Sequence, residues 1–295
     1  MNILSVEDLK KYYGPVKALD GITFSVPEGT VFGILGPNGS GKTTLLGIVM
    51  NVLKSSGGSY KLFDEEPNPS HRRKIGTLLE TPNFYHYLTA VQNLKITSSI
   101  KEVNEKDIDR VLDIVSLSAR KNSKFSTYSL GMKQRLAIAS ALLGNPDVLV
   151  FDEPTNGLDP VGISEIRNLI KELQKMGKTI IMASHLLDEV EKVCTHVAIL
   201  KKGKIISSGN VNEIFTQNDI VELEAENIQA LSDALKNLPG IVNVAQNGNT
   251  LIASINAGEV KLAEINRHLF DKGVVLTKLN LKRKSLESKF IELTN

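Results

Sequence analysis

The stretch VFGILGPNGSGKTTLLGIVMNVL, residues 31–53, decides the fold. Its first five residues, VFGIL (31–35), are a continuous apolar run, the pattern of a strand covered on both faces. KTTLLGIVMNVL (42–53) reads as a helix that stops near KSSGGS. Between them GPNGSGKT (36–43) fits G-x-x-x-x-G-K-[ST] in the strand–turn–helix setting the motif requires. Gly36, Gly39 and Gly41 leave the backbone N–H groups free to turn inward around phosphate oxygens, which a Cβ would obstruct. Lys42 brings a point charge to the β- and γ-phosphates, and the Thr43 hydroxyl suits Mg²⁺. Pro37, Asn38, Ser40 and Thr44 complete the candidate nucleotide loop.

Working outward, VLVFDEPTNGLD (148–159) carries an apolar run into Asp152. That places a carboxylate at the C-terminal end of a buried strand, where α/β sheets bind ligands. Asp152 suits Mg²⁺ through water, and Glu153 suits a general base for an attacking water. His185 follows the strand-like TIIMAS (179–184) and lands on the same sheet edge. The other histidines, His71, His86, His196 and His268, read as surface or packing residues. ITFSV (22–26), IGTLL (75–79) and HVAIL (196–200) add strands, and amphipathic helices are expected over about 160–176 and 186–193. The expected fold is therefore α/β: a parallel-sheet P-loop NTPase core flanked by helices.

From about Ala90 to Leu143 the pattern is mostly helical and reads as an insertion into that core. It ends in YSLGMKQRLAIASALL (128–143), where Ser129 and Gly131 stand ahead of an apolar-periodic run. A small hydroxyl and a glycine at a helix start make a second anion site. If the insertion projects away from the P-loop, this site cannot serve its own chain's γ-phosphate, but two copies arranged head to tail could serve each other.

Composition narrows the class. Of 295 residues, 41% are hydrophobic and 23% charged, with a net charge of +2, so no basic field points to nucleic acid. One cysteine, Cys194, excludes an intrachain disulfide and suits a reducing compartment. MNILSVEDLKKYYG lacks the pattern of a signal peptide, and no run of about 18 apolar residues occurs. If the protein serves a membrane process, the spanning part is expected on another chain.

With these motifs in this order, residues 1 to about 216 resemble the ATP-binding subunits of ABC transporters. The resemblance implies ATP and Mg²⁺, a homodimer or paired ATPase subunits, and two membrane-spanning permease subunits on separate chains, at the cytoplasmic face of the membrane. It implies that Tyr13 in KYYG stacks on adenine, with Tyr12 the competing candidate. Ser129 and Gly131 look like the signature groups on the partner's γ-phosphate, and Asp159 like the aspartate that crosses the dimer interface. Glu153 would be the general base, with His185 holding the γ-phosphate. Two departures matter. Tyr128-Ser129-Leu130-Gly131-Met132 replaces the usual Leu-Ser-Gly-Gly-Gln, which is expected to weaken nucleotide-driven dimerisation. Glu80 stands where the family usually has glutamine and could ligate the cation directly.

A glutamate there is similar to exporters that protect their hosts against lantibiotics and bacitracin-like peptides; the competing reading is a tolerated substitution in an exporter of something else. Exporter ATPase is the leading function; a module that senses an antibiotic for a signalling partner competes with it. Of nine Phe and six Tyr, three crowd into FYHY (84–87), either lining a groove for a membrane subunit's cytoplasmic helix or packing the base of the insertion. After about Gln217 the texture changes. Residues 217–295 read as a small α+β accessory domain, with strands in IVELEAE, IVNVAQ, TLIASIN and VVLTKLN and helices near 228–238 and 259–272. Its closing segment LKRKSLESKFIELTN resembles that of exporter subunits, implying dimer contact or regulation.

Overall fold

The first residues pair where only 22–26 carries a strand pattern. In the computed structural model, which describes residues 1–79, 83–215, 219–236, 238–255 and 261–282, β1 (Asn2–Tyr13) and β2 (Val16–Pro27) form a long antiparallel hairpin. β3 (Val31–Leu35) follows, buried throughout, and then α1 (Lys42–Val49). This helix is shorter than the apolar run suggests. Asn51 takes a left-handed φ of 62°, and the N–H groups of Val52 and Leu53 turn back onto Gly47 O. β4 (Gly57–Leu62) returns to pair with β1, giving an antiparallel sheet of order β2-β1-β4. After α2 (Pro69–Arg73), β5 (Ile75–Leu78) begins the second sheet.

The helical insertion lies between β5 and β6. It holds α3 (Ala90–Lys101), α4 (Asp107–Ile114) and α5 (Leu130–Leu142). A capping box starts α3: Gln92 N–H donates to Thr89 Oγ1 at 3.2 Å, and Thr89 N–H donates to Gln92 Oε1 at 2.9 Å. The end of α5 is tied back by Lys101, whose ammonium donates to Ser140 O at 2.8 Å and Ala141 O at 3.2 Å. Burial pushes that amine down to about 8.

β6 (Val148–Asp152), α6 (Pro160–Lys175), β7 (Thr179–Ser184), α7 (Leu187–Val193), β8 (His196–Lys201) and β9 (Lys204–Asn210) complete the core. Sheet order is β5-β6-β7-β3-β8-β9; every pairing is parallel except the antiparallel β9 edge. The parallel core agrees with the sequence pattern. On α6 the buried residues Ile166, Leu169, Ile170 and Leu173 follow i, i+3, i+4, i+7. Each such side chain stabilises the packing by about 1.5–3 kcal/mol. This first compact unit ends at Val211, where α8 (Val211–Phe215) starts.

Cys194 is buried against this core, and a Cβ on Gly33 would lie 2.9 Å from its sulfur. Desolvation, with Glu189 nearby, pushes the thiol well above its ordinary range. The thiolate is the reactive form. The folded protein is therefore expected to resist an aromatic disulfide reagent and to react fully once unfolded; fast labelling of the native chain would contradict this packing.

The second unit contains β10 (Asp219–Ala225), α9 (Ile228–Lys236), β11 (Ile241–Asn247), β12 (Thr250–Ile255), α10 (Leu262–Asp271) and β13 (Leu276–Lys282). Its antiparallel sheet has the order β11-β12-β10-β13, a split βαβ arrangement. Val221, Leu223, Leu251, Ala253 and Ile255 from the sheet pack with Leu231 and Leu235 of α9 and Ile265 and Leu269 of α10. The closing segment from residue 283 onward lies outside the described residues.

Candidate functional site

The loop Gly36–Gly41 leaves β3 at the sheet's C-terminal edge and enters α1. Gly36 N–H donates to Ser184 O at 3.2 Å, tying the loop to the neighbouring strand β7. A Cβ on Gly36 would lie 2.2 Å from Leu200 O, and one on Gly41 would lie 2.4 Å from Ala18 O. Gly39 and Gly41 have φ of 77° and 113°, a region that L side chains avoid. Pro37, Asn38, Gly39 and Thr43 are exposed, Thr44 is half-buried, and Ser40 and Lys42 are buried. The Ser40 hydroxyl is buried without a hydrogen-bond partner, the condition expected of a polar loop built around a ligand.

Lys42, only 6% exposed, donates to Gly36 O at 2.8 Å and Pro37 O at 3.3 Å. Its ammonium also pairs with Glu153 Oε1 at 3.3 Å. The other Glu153 oxygen lies 2.8 Å from His185 Nδ1, a contact that assigns the proton to that nitrogen. One carboxylate thus joins the loop lysine to the strand-end histidine. Glu153 follows the buried Asp152 and has φ of 49°, held there by an N–H bond to Ala183 O at 3.0 Å. A non-glycine residue in that region costs about 1–3 kcal/mol and is typical of functional sites. The residues assigned from sequence to the P-loop, Asp152, Glu153 and His185 therefore share one sheet edge.

Other candidates stand at helix starts and on a hairpin. Ser129 caps α5, accepting from Met132 N–H at 3.3 Å, and open space surrounds the position a Cβ on Gly131 would take. Asp159 caps α6, accepting from Gly162 N–H at 2.8 Å, with Pro160 at the first helical position. Tyr13 is 47% exposed near the β1–β2 turn, with Lys11 Nζ 4.9 Å from its ring centroid. Tyr12 instead has its hydroxyl engaged with Asp20 Oδ1 at 3.1 Å. Glu80 lies outside the described residues. Phe84 packs edge-on against the buried Phe125, while Tyr85 and Tyr87 are 52% and 68% exposed. FYHY therefore divides between packing the base of the insertion and facing solvent.

Among the described residues, no three His, Cys, Asp or Glu converge as a metal cage. A hard cation held by one hydroxyl, one carboxylate and phosphate oxygens needs no such cage. Thr43 and Asp152 fit that mode. The sequence motif did not disclose the carbonyls of Ala18 and Leu200, which force glycine at positions 41 and 36. Nor did it disclose Lys11 beside Tyr13. The two carbonyls come from other strands and leave no signature in the loop, whereas Lys11 and Tyr13 stand on one face of β1 two residues apart.

The family model described as ABC transporter matches residues 19–156. The chain is 33% identical over 298 residues to the bacitracin transport ATP-binding protein BcrA of Enterococcus faecalis, covering 99% of this chain and 96% of that one. The chain belongs to the ATP-binding subunits of ABC transporters. Another member of the family, the lantibiotic transport ATP-binding protein SrtF of Streptococcus pyogenes, is 37% identical over 226 residues, 75% of this chain and 99% of that one. The solved dimeric ATP-binding cassette with ADP and Pi is similar with a TM-score of 0.62 at 27% identity, covering 70% of this chain and 98% of that one. The α/β P-loop fold is that of the ABC ATPases, and this subunit is an ATP-binding ATPase. Among the described residues, no helix is long and apolar enough to cross a membrane.

Proposed function

We propose that two copies of this subunit close around two ATP·Mg²⁺ and drive a pair of separate membrane permease chains that export antimicrobial peptides of the bacitracin or lantibiotic class. The full-length similarity to a bacitracin transport protein, through the second unit as well as the first, carries this reading. We assign nucleotide chemistry to residues 1–216, with 90–143 as its helical subdomain, and an accessory role in dimer contact or regulation to 217–295. The assembly works at the cytoplasmic face of the membrane, without nucleic acid.

Tyr13 stacks on adenine, since its ring is exposed and its hydroxyl is not engaged as Tyr12's is. The loop Gly36–Thr43 surrounds the phosphates through its N–H groups, apart from Pro37, which has none, and Gly36, whose N–H is held by Ser184 O. Thr44 follows into α1, and Lys42 turns from the Gly36 and Pro37 carbonyls to the β- and γ-phosphates. Thr43, Asp152 and Glu80 would hold Mg²⁺, which neutralises phosphate charge. Glu153, released from Lys42, accepts the proton of the attacking water as its oxygen bonds to the γ-phosphorus and the bond to ADP breaks. His185 holds the γ-phosphate. Ser129 and Gly131 reach that phosphate on the partner copy, and Asp159 crosses the same interface. Each ATP thereby gains contacts only in the closed pair, so ATP favours closure by differential affinity, and loss of the γ-phosphate releases it.

Deleting the chain with its neighbouring membrane subunits is expected to lower the host's inhibitory concentration for one peptide antibiotic selectively, across a panel of lantibiotics, bacitracin and unrelated drugs. Unchanged sensitivity to every peptide would refute the peptide cargo and reduce Glu80 to a tolerated replacement.

A further inference from the structure

We infer that Tyr128 is a positioning residue that fixes the start of α5, and with it Ser129 and Gly131, through its buried phenol. The inference rests on the reading of Ser129 and Gly131 as the groups that meet the partner's phosphate. Tyr128 is 4% exposed and its hydroxyl donates to Arg120 O at 2.8 Å. Its backbone N–H donates to Phe125 O at 3.1 Å, so the residue ahead of the cap is tethered at both its main chain and its ring tip. Burial pushes the phenol up, so it remains a donor at neutral pH.

The ring does not stand alone. Phe125, 1% exposed, has Tyr128 at 6.1 Å between centroids, Phe84 at 5.2 Å and Lys133 Nζ at 5.4 Å. Residues 128 and 133 lie on either side of the first turn of α5, and both meet Phe125, Tyr128 ring to ring and Lys133 through its ammonium over the ring face. Phe125 N–H in turn donates to Leu88 O at 2.8 Å, anchoring the whole arrangement to the segment that follows FYHY. An anion site at a helix start depends on where the first turn points, because its field falls off within that turn. The leucine usual at this position in the family has no hydroxyl and cannot bond Arg120 O. In this chain the tyrosine supplies a fixed aim for α5 where the signature lacks its first glycine and its glutamine.

The test uses the full chain in a Glu153→Gln background, which holds ATP unhydrolysed, and measures ATP-driven dimerisation by sedimentation. Tyr128→Phe keeps the ring and removes one buried hydrogen bond from each copy, so the dimerisation constant is expected to weaken by about tenfold. Monomer affinity for ATP is expected to stay unchanged, and Tm to stay within about 4 °C. Tyr128→Leu is expected to weaken closure at least as much. Dimerisation equal to the parent, or a loss of monomer ATP binding alongside it, would overturn the inference. Ser129→Ala separates the two readings. If it abolishes dimerisation while Tyr128→Phe does nothing, only the positioning role fails; if it too has no effect, the reading of the signature fails.

Discussion

Glu153→Gln is expected to leave ATP bound while hydrolysis slows by about 10²–10⁴-fold, the range for a lost general base. The substitution changes charge and basicity with almost no change in shape. The amide oxygen can still accept from His185 Nδ1, which lies 2.8 Å from the carboxylate. Lys42 loses its ionic partner at 3.3 Å but keeps its bonds to Gly36 O and Pro37 O, so the loop retains its form. Removing the carboxylate also removes an anion that competes with phosphate for Lys42, so ATP affinity should hold or rise. Phosphate release and equilibrium nucleotide binding measure the two halves separately. Wild-type turnover in this variant would sink the assignment of Glu153 as base.

The second large effect is steric. Gly41→Ala should abolish ATP binding and lower stability by about 3–5 kcal/mol, combining overpacking with backbone strain. The added Cβ would sit 2.4 Å from Ala18 O and 2.9 Å from Leu19 Cδ2, at a φ of 113°. A carbonyl in a paired strand cannot step aside as a flexible side chain can. Gly39→Ala is the matched control: its φ is 77°, yet nothing lies within 4 Å of its Cβ. That variant should fold with a loss of about 1–2 kcal/mol, the cost of a left-handed alanine. Thermal melting of the two proteins compares the stability losses, and ATP titration of Gly41→Ala checks the loss of binding. Equal behaviour would mean that β2 does not confine the loop.

The parallel core was legible because buried parallel strands are continuous apolar runs. VFGIL, VLVF and TIIMAS each correspond to a strand, and each delivers its functional residue to the same edge. β1 was not legible. Its register shifts between Val6 and Leu9, where Asp8 takes a φ of 46°, so Ile3, Leu4, Val6 and Leu9 are buried without keeping a period of two. β9 (KIISSGN) is an edge strand whose burial alternates with period two, but Ile205, Ser207 and Gly209 face inward while Ile206 faces outward, so no apolar–polar alternation marks it in the sequence. At the site, the motif residues were legible individually. The bridge from Lys42 through Glu153 to His185 was not, because it joins three separate segments at side-chain resolution. The Tyr128 hydroxyl bond was likewise hidden, since its acceptor is a backbone carbonyl and carries no residue identity.

The crossed strand order of the second unit has a consequence for the sequence of events at the ribosome. β10, its first strand, lies between β12 and β13, and Val221 pairs opposite Leu281. Leu279 and Leu281 of β13 pack against the shared core. A nascent chain that has emerged only as far as α10 therefore exposes one edge of its central strand. Every pairing partner of the nucleotide-bearing sheet, by contrast, has been synthesised once β9 is complete. Vectorial synthesis at about 5–20 residues per second lets the ATPase core assemble first. A premature stop before β13 would leave a competent nucleotide core followed by an unclosed sheet, whose bare edge would be open to pairing with other chains.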